Sequence, residues 1–237
     1  MSLSLIGRML ADKAGFERRP AFEGPLAKVP GPLQKARAGG VIDLSAAEAS
    51  FIAADAGGAL IKRPASLRAS VVAEGRIEDG DFAIHRFYLG SQGEDAPENF
   101  LQVIAQGGHV VPGEIKLLQK LAEVTPASQQ EWDFWLVGDD ETPPFLTGPS
   151  IKWQDTYEFT RFWSPGPRTV PAKDYLETIR APGSGDRTVS SSAMLFSRPL
   201  SPDLAEWLQL AVCQSGTERW VEAYVGITVD AGEVVSI

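Results

Sequence analysis

Most of the chain consists of short segments rich in β-branched and aromatic residues, several of them bounded by Gly, Asp or Pro, a pattern typical of β-strands. These segments predict strands at residues 67–74, 82–89, 100–105, 156–163, 189–197, 206–214 and 218–229. We expect the second and third segments to form a hairpin around the polar loop 90–99. The last two should form another across Ser215-Gly216. Helical spacing also fits 203–213, but the Ser-Gly turn favours the hairpin.

Other segments carry apolar residues at helical spacing. In the region 45–55, Ser45 and Glu48 have the separation of a capping box. Farther along, Ile115, Leu118 and Leu121 would share one helical face. The patterns predict helices at 3–14, 45–55 and 113–123, and a short helix that Ser128 caps and that runs through Trp135.

Together these elements predict an α+β fold, a mainly antiparallel twisted sheet of about six to eight strands with a few short helices over one face. Residues 1–40 are expected to form a basic arm, a short helix followed by a Pro/Gly-rich stretch. Residues 41–237 should then form a single globular domain. The proline-rich segment 143–149 could divide that domain into two lobes.

The protein is acidic, and its charge is unevenly distributed along the chain. The net charge is −9, and seven basic and three acidic residues make residues 1–40 carry +4, leaving −13 for the rest. An acidic protein repels the phosphate backbone, so no nucleic-acid partner is expected. The arm could dock on its own domain, enter the groove of a protein partner, or make a weak, reversible contact with an anionic membrane.

Cysteine usage and hydropathy point to the cytoplasm. Cys213 is the single cysteine and cannot form an internal disulfide. No apolar run reaches the roughly 18 residues that span a bilayer. The N-terminal sequence lacks the uninterrupted apolar region and small-residue cleavage site of a signal peptide.

Candidate catalytic chemistry is sparse, because the chain has two histidines and one cysteine and lacks HxH, HExxH and CxxC spacings. We therefore expect no metal and no cofactor. His85 is the one catalytic candidate, but its strand face is otherwise apolar, and this pattern favours a buried structural histidine over a catalytic one. An enzyme hypothesis would pair His85 with Glu74 or Asp81. His109 and the acidic run 139–141 are interpreted as a turn and a solvated loop.

Aromatic residues concentrate between positions 132 and 163. Large aromatic side chains usually form core, which is one interpretation of this cluster. The other is a groove on the sheet surface that binds a small ligand, a peptide or a partner. Its candidate residues are Trp153, Tyr157, Arg161 and Trp163.

The order of FAIHRFYL, a polar loop, FLQVIA, EWDFWL, TYEFTRFW and VEAYVGI, over roughly residues 65–230, resembles the YjfK-like family of bacterial proteins of unknown function. The resemblance implies a cytoplasmic bacterial protein, often encoded beside a PspA-like membrane-stress protein and small membrane proteins. It carries over no catalytic residue. We therefore expect a non-enzymatic interaction or accessory protein with a protein partner, linked to an envelope-stress system. The alternatives are a ligand-binding protein that uses the aromatic groove, and an enzyme that uses His85.

Overall fold

The structure is a computed structural model that describes residues 33, 35–79, 82–90, 98–106, 109–138 and 143–237. The predicted helix at 3–14, most of the predicted arm, Asp81 and the acidic run 139–141 lie outside the described residues. The end of the arm is described, and it packs on the domain. Leu33 is fully buried in the hydrophobic core, and the Gly39 N–H donates to the Val71 carbonyl at 2.8 Å.

The described residues form twelve β-strands, two short α-helices and two 3-10 turns. The first half of the chain contains β1 (Val41–Asp43), the 3-10 turn Ser45–Ala47, α1 (Glu48–Ala56), β2 (Arg68–Asp79), β3 (Phe82–Leu89), β4 (Asn99–Gln106) and β5 (His109–Val124). The second half contains α2 (Gln129–Leu136), β6 (Ser150–Trp153), β7 (Tyr157–Arg161), β8 (Lys173–Arg180), β9 (Arg187–Ser201), β10 (Leu204–Ser215), β11 (Glu218–Thr228), the 3-10 turn Ala231–Glu233 and β12 (Val235–Ser236).

Eight of these strands close into an antiparallel barrel. Their order around the barrel is β2-β3-β4-β5-β11-β10-β9-β8, and β8 pairs back onto β2. Register shifts in the β2–β3, β4–β5 and β11–β5 ladders mark bulges, which sharpen the bend that closure requires. Outside the barrel, β1 and β12 extend the sheet from β2, while β7 and β6 extend it from β9.

The predicted α+β fold class is wrong, because the protein is mostly β and its sheet is closed. Strands account for 55% of the described residues. The segment predicted as a helix at 113–123 belongs to β5. Its neighbours Leu117 and Leu118 are both fully buried, since Leu118 packs with Phe100 and Tyr224 while Leu117 packs in the main core. A strand that is buried on both faces loses the alternation that identifies it, and its apolar run then imitates a helix.

Most of the other predicted elements are confirmed. All seven predicted strands overlap observed ones, and both predicted hairpins form. The helix reading of 203–213 is therefore wrong. Ser128 caps α2 by accepting from the Glu131 N–H at 3.2 Å, as predicted. Ser45 does not cap α1, because that helix begins after Ala47. The patterns missed four strands, namely β1, β6, β8 and β12.

The main hydrophobic core lies outside the barrel, between its wall and a covering layer. On β10, Leu208, Leu210 and Val212 point outward into this core, together with Phe51 of α1 and Leu136 of α2. The alternate β10 residues 209, 211 and 213 point into the barrel. The barrel interior is thus a separate compartment, and its buried side chains include Arg86, Gln102, Glu177 and Gln209.

Candidate ligand-binding site

A cavity of about 720 Å³ occupies one end of the barrel interior. Six of the eight barrel strands line it, namely β3, β5, β8, β9, β10 and β11, and residues from segment 125–126, from α2 and from the turn at Thr217 form its rim. Pockets for small molecules commonly measure about 300–1,000 Å³. The cavity is therefore large enough for a small ligand. We call it the polar cavity, because charged side chains dominate its walls.

A buried ion pair forms the floor of the polar cavity. The Arg86 guanidinium donates to Glu177 Oε2 at 2.7 Å, to Gln102 Oε1 at 3.1 Å and to the Tyr175 hydroxyl at 3.2 Å. The Tyr88 hydroxyl donates to the other Glu177 oxygen at 2.8 Å. Burial alone would lower the pKa of Arg86, but the Glu177 charge raises it well above the usual range. The polar atoms of Arg86 and Glu177 are thus satisfied by each other and by Gln102, Tyr175 and Tyr88.

A glycine on β2 makes this ion pair possible. Arg86 lies on β3 and Glu177 on β8, and β2 runs between those two strands. Gly75 of β2 is the residue paired with Arg86 in the ladder. A Cβ atom at Gly75 would overlap the Glu177 carboxylate. The side chains of β3 and β8 can meet over β2 because this position carries no side chain.

Three carboxylates surround one ammonium group on the wall above the floor. Lys120 Nζ lies 2.8 Å from Glu123, 2.9 Å from Glu98 and 3.3 Å from Glu222. We call these three glutamates the carboxylate cluster. Partial burial by itself lowers the pKa of Lys120, but hydrogen bonds to Glu123 and Glu98 outweigh it and raise that pKa above the usual range. With Lys120 included, the group carries a net charge of −2.

Cys213 lies beside this cluster as a protonated thiol. Its Sγ donates to Glu222 Oε2 at 3.3 Å. Burial, with the charge of Glu222, raises the pKa of the Cys213 thiol far above its usual range. A thiol in this state is a weak donor and a poor nucleophile, so Cys213 contributes a wall to the cavity and no reactive group.

Arg219 stands at the rim with an unsatisfied donor. Its guanidinium stacks on the Trp132 ring at 4.5 Å from the ring centre. Desolvation lowers the pKa of Arg219. Its Nε is buried and has no hydrogen-bond partner within the part of the chain that the structure describes. A ligand with a hydrogen-bond acceptor near the rim would satisfy this donor.

Arg161, one of the four predicted groove residues, hydrogen-bonds to the backbone of neighbouring loops. Its side chain is 2% exposed. The guanidinium donates to four backbone carbonyls, those of Thr147, Ser164, Gly166 and Arg168, at 2.7–3.0 Å. Arg161 therefore ties the segments on either side of the β6–β7 hairpin to β7.

The other three groove candidates lie in two places. Trp153 and Tyr157 are paired residues of the β6–β7 hairpin. Both pack at the edge of the main core, and the Arg198 guanidinium lies 4.9 Å from the Tyr157 ring centre. Trp163 also packs at the edge of the main core, and it lines a second cavity at the opposite end of the barrel from the polar cavity. The binding role of these residues stays a prediction.

His85 lies on the outer face of β3 and is 5% exposed, as the alternation of its strand predicts. Burial, with the positive charge of Arg76, lowers the pKa of His85 to about 4. Of its proposed carboxylate partners, Glu74 accepts a hydrogen bond from the Ala38 N–H at 2.5 Å, and Asp81 lies outside the described residues. His85 faces away from the polar cavity.

Sequence reasoning missed the residues that line the polar cavity. A signal was present, because Arg86 and Tyr88 alternate with apolar residues in the middle of a strongly β-type strand. A charged residue at an inward position of a buried strand needs a partner. Glu177, however, lies 91 positions away, on a strand that the pattern did not predict.

The residues that the structure describes contain no group of three or more His, Cys, Asp and Glu side chains arranged to hold a metal ion. Within the same ranges, no helix has the length and apolar character needed to cross a membrane.

Comparison with known proteins places the chain in a family without an assigned activity. A family model described as a protein of unknown function (DUF2491) matches residues 24–235. No curated protein and no solved structure matches the chain. The comparisons do not confirm the YjfK-like resemblance. The matched range includes all eight barrel strands and every residue of the carboxylate cluster.

Replacing Glu177 with Gln should destabilise the protein strongly, because the isosteric amide leaves the buried Arg86 charge unpaired. We expect a loss of about 3–5 kcal/mol in the free energy of unfolding, measured by urea denaturation. The exposed pair Arg180–Asp186 is the control, and Asp186→Asn there should cost far less stability than Glu177→Gln because solvent screens the pair. Equal losses in the two variants would contradict a desolvated Arg86.

Replacing His85 with Gln should reduce the acid sensitivity of the fold. Because the pKa of folded His85 is about 4, the unfolded chain binds a proton below about pH 6.5 that the folded chain does not. Wild-type stability should therefore fall as the pH drops from about 6.5 to 4, by up to about 3 kcal/mol from this residue. Urea denaturation at pH 7 and pH 4.5 should show a smaller drop for His85→Gln. His109→Gln controls for losing an exposed histidine, and parallel drops in wild type and His85→Gln would contradict the assignment.

Proposed function

We propose that this chain, which belongs to the DUF2491 family of proteins of unknown function, binds a small organic cation in the polar cavity of its barrel. The observation that carries the proposal is the carboxylate cluster, in which three glutamates share the single ammonium group of Lys120. The charge of Arg86 is already balanced by Glu177. The excess negative charge that could attract a ligand is therefore in the carboxylate cluster.

The charge balance favours a cation over an anion. The cluster with Lys120 carries −2, and the rim residues Arg187, Arg219 and Glu218 add one positive charge, so the walls keep an excess of negative charge. A cation beside like-charged carboxylates relieves their mutual repulsion. An anion would meet the same carboxylates with an unfavourable interaction, in a cavity that screens charge less than bulk water does.

Aromatic side chains add a second contribution to cation binding. Tyr88, Trp132, Trp220 and Tyr224 all line the polar cavity. Aromatic faces attract ammonium groups by about 0.5–2 kcal/mol. Lys120 Nζ already lies 5.8 Å from the Tyr224 ring centre. An alkylammonium ligand could use the aromatic walls in the same way, and an acceptor group on it could meet Arg219 Nε at the rim.

Isothermal titration calorimetry with 1,5-diaminopentane and glutarate would test the proposal, since the two probes have similar length and opposite charge. We expect the diamine to bind and the dicarboxylate not to bind. Glu123→Gln removes one charge of the cluster at a half-exposed position, and it should weaken diamine binding roughly three- to tenfold. Glu158→Gln, at an exposed position of β7, is the matched control. Binding of glutarate as tight as that of the diamine, or an unchanged affinity in Glu123→Gln, would refute the assignment.

A second proposal is a cytoplasmic accessory role at the membrane, in an envelope-stress system. Its support is the charge asymmetry, +4 over residues 1–40 against −13 for the rest, and the YjfK-like resemblance. The basic segment would provide a weak contact with anionic lipid, at about 1 kcal/mol per basic residue near the surface, or with a protein partner. This role and ligand binding by the barrel are compatible, because they use different parts of the chain.

Flotation with anionic liposomes tests whether the basic N-terminal segment binds a membrane. We expect salt-sensitive binding by the full chain and loss of binding in a variant that lacks residues 1–32. The truncation stops there because Leu33 is part of the hydrophobic core. Neutral liposomes are the lipid control, and cooperative thermal unfolding confirms that the variant is folded. Binding that survives the truncation, or full-chain binding that salt does not weaken, would rule out a membrane contact through this segment.

A further inference from the structure

Arg219, at the rim of the polar cavity, is a desolvated cation without a counter-ion. Its guanidinium lies over the Trp132 ring, and its buried Nε has no hydrogen-bond partner among the residues that the structure describes. Burial lowers the pKa of Arg219, and no carboxylate of the described chain raises it. A buried donor without an acceptor is unfavourable, so an acceptor that a ligand brings to this position would be stabilised there.

The stacking on Trp132 leaves the edge of the guanidinium available. The ring covers one face of this planar group, at 4.5 Å from the ring centre. The N–H groups of a guanidinium lie in its plane, so they point past the ring and not into it. A carboxylate fits such an edge, because its two oxygens accept two parallel N–H bonds. It also supplies the negative charge that Arg219 lacks.

Arg219 and the carboxylate cluster are near enough for one ligand to contact both. Both line the polar cavity. Arg219 and Glu222 are three positions apart on β11, which separates their Cα atoms by about 10 Å along the strand. Because the two long side chains cover part of this distance, a ligand with a short carbon chain is sufficient to bridge them.

The wall and the rim of the cavity carry opposite charge. The carboxylate cluster with Lys120 carries −2, whereas Arg187, Arg219 and Glu218 give the rim a net charge of +1. A monoamine matches the wall and leaves Arg219 unpaired, and a diamine brings a second positive charge into the cavity. A zwitterion places each of its charges beside the opposite one, in a space that screens charge less than bulk water does.

We propose that the ligand of the polar cavity is a zwitterion, an ω-amino carboxylate whose ammonium group meets the carboxylate cluster and whose carboxylate pairs with the Arg219 guanidinium. The proposal rests on the cation site proposed above, and it adds the chemical group at the other end of the ligand. The cluster provides the attraction for the ammonium group, and Arg219 selects ligands that also carry a carboxylate.

Isothermal titration calorimetry with 5-aminopentanoate and pentylamine tests this selection. The two probes have one ammonium group and the same number of carbons, and they differ in whether the chain ends in a carboxylate or a methyl group. Wild type should bind 5-aminopentanoate about three- to tenfold more tightly, the advantage expected of one charge-assisted pair at the rim. Pentylamine binding measures the cation site by itself.

Variants at each end of the ligand locate its two charges. Arg219→Gln should remove the advantage of 5-aminopentanoate and leave pentylamine binding no weaker, and Arg219→Lys should retain part of the advantage because it keeps the charge without the Nε donor. Glu123→Gln should weaken both probes by the same factor. Arg168→Gln, at an exposed position between β7 and β8 that does not line the cavity, is the matched control and should keep the full advantage. Cooperative thermal unfolding confirms that each variant is folded.

The outcomes separate this proposal from the one on which it rests. Equal affinity of wild type for the two probes would overturn the zwitterion and leave the cation site intact. An advantage that persists in Arg219→Gln would also overturn it, since the carboxylate would then bind elsewhere. If neither probe binds wild type, the cation site fails and the zwitterion fails with it.

Discussion

The buried ion pair between Arg86 and Glu177 is the interaction on which the organisation of the barrel depends. It joins β3 to β8 over the intervening β2, and Gly75 provides the space for it. A desolvated pair of this kind contributes little net stability, but the loss of either partner is costly. Its main consequence is geometric, since it holds the first strands of the barrel to a late one and divides the interior into two cavities of different polarity.

The barrel can accommodate a polar interior because most of its buried apolar residues belong to the core outside the wall. The large hydrophobic core lies outside the wall, where α1, α2 and the segments around them cover one side of the barrel. The interior is therefore free to contain charged groups, cavities and small apolar clusters. The two cavities lie at opposite ends of the barrel, on either side of the layer that contains Arg86 and Glu177.

Local sequence patterns were sufficient to predict most of the strands, but they did not predict how the strands are arranged in the sheet. The segment FAIHRFYL was predicted as a strand because β-branched and aromatic residues dominate it. Residues 113–123 were wrongly predicted as a helix. Both faces of β5 are buried there, so apolar and polar residues do not alternate along the strand. For the site, alternation placed Arg86 and Tyr88 on one face, but nothing local indicated that Glu177 would meet them. The predicted groove relied on sequence proximity, whereas in the structure Trp163 lines the second cavity and Trp153 does not.

The sequence by itself determined seven of the twelve strands, the two hairpins, the cap of α2 by Ser128, the acidic charge with its basic N-terminal segment, and the scarcity of catalytic side chains. These features depend on residues that are close in the chain. Only the tertiary structure decided that the sheet closes, which strand faces point inward, and that Lys120 meets Glu98, Glu123 and Glu222. Closure depends on β8 pairing with β2, about a hundred residues earlier. Such a pairing reflects the balance of loop entropy, bulges and burial over the whole chain, which no local pattern contains.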